Sequence, residues 1–110
     1  MMTKELIGLG LVTQEDADQA TTANERRDVI KEYFMHGTSH PLGLDVHDVA
    51  AFNAPVEVGM VFTIEPGIYI REEALAVRLE DDVLIGEEEN INLFENFPVE
   101  VEEIEALMNA

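Results

Sequence analysis

The chain has 110 residues, 46% of them hydrophobic, and no cysteine. That leaves room for a single domain, residues 1–110, with a modest core, and it excludes disulfides and thiolate metal sites. Twenty-four acids against six bases give a formal net charge of −18, which argues against a nucleic-acid partner, because phosphate binding needs clustered Lys and Arg.

In chain order, the opening MMTKELIGLGLV is interrupted by Glu5 and lacks a small-residue cleavage site, so it is not read as a signal peptide. No apolar run reaches membrane-spanning length, and a cytoplasmic protein away from membranes is expected. A helix is expected over roughly residues 3–11, weakened by Gly8 and Gly10. A short one follows Thr13. Thr22 and Glu25 have the spacing of a capping box, and Val29, Ile30, Tyr33 and Phe34 then fall on one side of a helix. Residues 1–35 therefore read as a helical lead-in.

The character changes at HGTSHPLGLDVHD, residues 36–48, which holds all three histidines: His36, His40 and His47. His36 and His40 have the spacing of paired zinc ligands on a helix. Gly37, Pro41 and Gly43 forbid a helix there, so that zinc reading is rejected. From Met60 the period becomes two. Met60, Phe62, Ile64, Ile68 and Ile70 form one face, and Val61, Thr63, Glu65 and Tyr69 the other. On this pattern Glu65 faces away from the more apolar side. Pro66 requires an edge or a bulge. After a turn at Arg71–Glu73, a second strand carries Arg78 and Glu80 on one face, and Asp81 on its apolar side suggests a bulge. A hairpin of these strands would bring Glu65 and Glu80 together. Residues 87–90 read as a turn. A final helix after Pro98 has Val101, Ile104, Leu107 and Met108 as its expected buried stripe. Helices, a site loop, two long strands and a terminal helix make an α+β pattern, an antiparallel sheet packed against helices.

One imidazole and two carboxylates suit a divalent ion such as Mn²⁺, Fe²⁺, Co²⁺ or Zn²⁺. Three protein ligands leave a position for water. Two plainer readings stand beside this one: Glu65 on an exposed strand face, and Glu80 paired with Arg78.

HGTSHPLGLDVHD, GMVFTIEPGIYI and VRLEDDVLI, in that order, with the ending FPVEVEEIEALM, resemble the C-terminal half of Xaa-Pro aminopeptidases, which are pita-bread metallopeptidases. The resemblance covers roughly residues 33–108. It implies the C-terminal half of a pita-bread fold over residues 36–110. It further implies two divalent metals, usually manganese, and removal of the N-terminal residue from peptides with proline in second position. Carried over residue by residue, His40 becomes a ligand of one metal and Glu65 a ligand and candidate proton shuttle. Glu80 becomes a bridging carboxylate and His47 the donor that steadies the oxyanion. His36 becomes a histidine lining the site or packing on its loop, and Arg78 the arginine that neutralises the carboxylates. Asp45 and Asp48 read as loop-ordering acceptors.

Some features depart from the family. Two upstream aspartate ligands have no counterpart, since Asp16, Asp18 and Asp28 sit in helical context. Ala74-Leu75-Ala76 stands where relatives often carry Gly-Ile-Gly, and Ala50 where a glycine is usual. The chain is therefore read as a fragment, inactive alone, that needs an N-terminal half as partner. Isolated, it is expected to form a homodimer. The alternatives are an Xaa-Pro dipeptidase (prolidase) fragment and a non-catalytic pita-bread binding module.

Overall fold

Helix starts in this chain are fixed by local chemistry. Thr22 Oγ1 accepts the Glu25 N–H at 3.2 Å, while Glu25 Oε2 accepts the N–H groups of Thr22 and Thr21 at 2.9 and 2.8 Å. Thr13 and Asp16 form a second box of the same kind, which the sequence reading did not single out. These bonds hold both carboxyls below their usual range. For Glu25 the Thr22 N–H is the largest cause, and for Asp16 the Thr13 hydroxyl. Orphan N–H donors at both helix starts are thereby satisfied.

The computed structural model describes residues 2–51 and 53–110. In chain order its elements are α1 (Met2–Gly8), α2 (Gln14–Gln19), α3 (Ala23–Lys31), β1 (Pro41–Leu42), β2 (Val61–Ile64), β3 (Gly67–Ile70), β4 (Leu75–Arg78), β5 (Asp81–Leu84), β6 (Ile91–Asn92) and α4 (Val101–Met108). A 3₁₀ turn, Arg71–Glu73, joins β3 to β4 through Ala74, which is left-handed at φ 50°. Residues 36–40 are not helical, as Gly37 and Pro41 require.

The chain forms two compact units. One comprises the chain as far as Gly37 together with Gly67–Arg78. It holds α1, α2, α3 and the antiparallel β3–β4 ladder, and its buried apolar side chains are Leu6, Val12 and Ala20. The other, Thr38–Pro66 with Leu79–Ala110, holds an antiparallel sheet in the order β1-β2-β5-β6, and α4. No helix among the described residues is long and apolar enough to cross a membrane.

Four expectations need correction. The strand through Pro66 is interrupted and not bulged. Its ladder stops at Ile64 and restarts at Gly67, because Pro66 has no N–H to donate. Asp81 sits in regular register opposite Ile64, without a bulge. The buried face of β2 is the one that carries Thr63, 1% exposed, whereas Ile64 is 47% exposed. Glu65 shares the Thr63 side, so it lies toward the interior and not away from it. On α4 the helix forms where expected, but Val101, Ile104, Leu107 and Met108 are all exposed. Amphipathic spacing shows which face can be buried, and only packing decides whether it is.

Candidate metal centre

The second unit positions the site by backbone pairing. Thr63 N–H donates to the His40 carbonyl at 3.0 Å, and Glu65 N–H to that of Thr38 at 2.8 Å. His40 N–H in turn donates to Thr63 Oγ1 at 3.1 Å. The segment before β1 is thus stitched to the end of β2, which places His40 beside Glu65. One step beyond Ile64↔Asp81, the β2–β5 register sets Glu65 across from Glu80.

One ligand atom from each of His40, Glu65 and Glu80 lies within 4.8 Å of the others. Ligands at a bond length of about 2.1 Å in tetrahedral array sit roughly 3.4 Å apart, so closure needs only side-chain adjustment. The imidazole is already oriented. Its Nδ1 lies 2.9 Å from the Pro41 carbonyl, which can only accept, so Nδ1 carries the proton. In the neutral ring the Nε2 lone pair then faces Glu65 Oε1 at 3.5 Å. Two lone pairs so placed attract only through a shared proton or a cation between them. A ligating histidine whose other nitrogen donates to a carbonyl is the usual arrangement at metals. The His40 and Glu65 side chains are only 18% and 13% exposed, which favours a compensating partner. The donor set fits a divalent metal.

His47 is exposed. Its ring centroid lies 4.2 Å from that of His40. Its loop is held by Asp48, whose Oδ2 accepts the Leu44 N–H at 3.1 Å and whose Oδ1 accepts the Val49 N–H at 2.8 Å. Asp48 is the loop-ordering acceptor the sequence suggested. Asp45 contributes its backbone carbonyl, which accepts from Gly43 at 3.2 Å.

The other two candidates belong to the first unit. His36 Nδ1 lies 2.6 Å from the Gly37 carbonyl, and its Nε2 accepts from the Tyr69 hydroxyl at 2.8 Å. Phe34 and Tyr69 pack edge-on against the ring at 5.0 and 5.3 Å. Arg78 ends β4, opposite Gly67. Asp16 and Asp18 are occupied locally, Asp16 by Thr13 and Asp18 by Gln14. The sequence reading singled out neither Thr63 nor Tyr69. The signal for both was present, since each shares the Glu65 side of the alternation.

The family model described as metallopeptidase family M24 matches residues 6–87. The Xaa-Pro aminopeptidase of Escherichia coli K12 is 41% identical across 100% of this chain, which covers 26% of that relative. Intermediate cleaving peptidase 55 of Schizosaccharomyces pombe is 34% identical over 84% of the chain and 21% of its own length. Among solved structures, zinc-substituted E. coli aminopeptidase P in complex with product aligns with a TM-score of 0.80 at 39% identity, over 98% of this chain and 26% of that one. The chain thus spans about a quarter of the relatives it matches. Its mixed helices and antiparallel strands are those of the matching part of the pita-bread structures.

Proposed function

Because the chain belongs to metallopeptidase family M24, whose members bind divalent metals, we propose that it supplies part of the metal centre of an Xaa-Pro aminopeptidase. His40, Glu65 and Glu80 are its ligands. The observation that carries this reading is the convergence of those three side chains to within 4.8 Å. Manganese is the expected ion, and Zn²⁺, Co²⁺ and Fe²⁺ suit the same donors. A bound divalent ion would supply an activated water at neutral pH.

The chain's own residues do the rest. Pro41 fixes the His40 tautomer, so that Nε2 is the ligating atom. Glu65 takes a proton from the attacking water and returns it to the leaving amine. His47, exposed beside His40, donates to the carbonyl oxygen of a peptide substrate as charge develops there. His36 is held through both nitrogens in one orientation within the first unit. A second metal and the full reaction need ligands beyond these three, so this chain alone is expected to bind one metal and not to turn over an Xaa-Pro peptide. The exposed apolar residues of α4 support self-association of the isolated chain.

Calorimetric titration with Mn²⁺ tests the reading. One site per chain is expected, with His40→Ala and Glu80→Gln each weakening it by about 10-fold to 100-fold. No heat with either Mn²⁺ or Zn²⁺, or unchanged affinity in His40→Ala, would overturn it.

A further inference from the structure

We propose that the groove along α3 in the first unit binds an acidic peptide segment with an apolar face, contributed by another protein. The groove has a volume of about 510 Å³, within the usual range for ligand sites. Its lining includes Arg26, Arg27 and Lys31, three of the six cations in a chain of net charge −18. Ile30, Phe34 and Met35 line it between and beside them. No Asp or Glu is among its lining residues, although the chain has 24 acids. Those of α3 itself lie elsewhere, and Glu25 and Asp28 line a separate depression with Asp16.

The cations are not consumed by the fold. The side chains of Arg27 and Lys31 make no hydrogen bond or ion pair with any described residue. Arg26 is partly engaged, its Nε and Nη2 donating to the carbonyls of Ala20 and Thr21 at 3.1 and 2.9 Å, which fixes its guanidinium at the groove. Lys31 in the last turn is accounted for by the helix dipole. Arg27, in mid-helix and one turn before another cation, is not, because like charges at that spacing destabilise a helix. In so acidic a chain, a carboxylate at either position would have been the commoner choice and would have relieved that repulsion.

The same layout selects the ligand. A small anion would meet the cations and leave Ile30, Phe34 and Met35 uncovered. A segment with carboxylates flanking apolar side chains satisfies both sets at once, and its charge complements this surface. The groove uses none of the proposed metal ligands, although His36 is among its lining residues, and its test reads peptide binding where the peptidase reading is tested by metal binding.

The test uses the whole chain and a short fluorescein-labelled peptide with Leu at helical spacing and Glu elsewhere, followed by anisotropy. Controls are a scrambled peptide and one with Lys for Glu. Binding of the amphipathic acidic peptide alone is expected, weakening with salt. Arg27→Glu and Lys31→Glu should each cut affinity at least about tenfold with helical circular dichroism retained, and Lys31→Gln should cut it less. The proposal fails if the chain does not bind the peptide or if either control binds equally. It fails too if Arg27→Glu has no effect or if millimolar inorganic phosphate displaces the peptide fully. Self-association of the chain abolished by Arg27→Glu would instead assign the groove to a second copy and overturn the proposal as stated.

Discussion

Replacing Thr63 by valine separates positioning of the metal centre from simple packing. Thr63 is 1% exposed and its hydroxyl oxygen accepts the His40 N–H at 3.1 Å. Valine keeps the shape and puts a methyl group where the acceptor was. The His40 N–H is then left without its partner in a part-buried position, which costs about 1–3 kcal/mol. If the strand end relaxes to rewet that N–H, the imidazole moves with it, because its Nδ1 is held only by the adjoining Pro41 carbonyl. A misplaced ligand worth about 1.4 kcal/mol weakens metal tenfold. The assay is a urea midpoint for stability, paired with calorimetric titration of Mn²⁺. Thr63→Ser, which retains the oxygen, is the comparison and should stay near the parent in metal affinity. A valine variant with unchanged metal affinity, whatever its stability, would refute the view that this hydroxyl orients His40.

Further expectations follow from the backbone and the caps. Ala74→Gly should raise stability by about 0.5–1 kcal/mol, because Ala74 sits at φ 50° where a Cβ is strained; a lower melting temperature would contradict this. Gly43→Ala should cost about 1–3 kcal/mol, because its Cβ would meet the Asp48 carboxylate and break the loop bonds to Leu44 and Val49. The His40 and His47 ring resonances should shift in the same variant. Acidification should fray α2 and α3. Asp16 and Glu25 have lowered pKa values in the fold, so their contribution is present above the unfolded carboxylate range and is lost as the pH falls below about 4. Glu25→Gln should make α3 less sensitive to acid in far-ultraviolet circular dichroism.

How much of this was legible in the sequence depends on the range of the interaction involved. The start of α3 was readable because a capping box is complete within a few residues. The break of helix at Gly37 and Pro41 was readable because glycine and proline act on their own backbone. The ligand types and their approach to one another were readable too, since strand pairing after a short turn leaves little choice of partner for Glu65 and Glu80. The resemblance to the peptidases added roles for these residues that spacing alone left open.

Tertiary structure decided what no local rule contains. Alternation divided the residues of β2 correctly into two sets, but hydrophobicity chose the wrong set as buried. The side that holds Thr63 and Glu65 is sheltered by pairing with His40, a residue far away in sequence. The terminal helix shows the same limit, for its apolar stripe is real and yet exposed. The Tyr69 hydroxyl on His36 and the bare cations of α3 likewise emerge only once distant segments have met. Secondary structure is set by contacts along the chain, whereas burial, tautomer and charge partnership are set by whatever lies across from a residue in space.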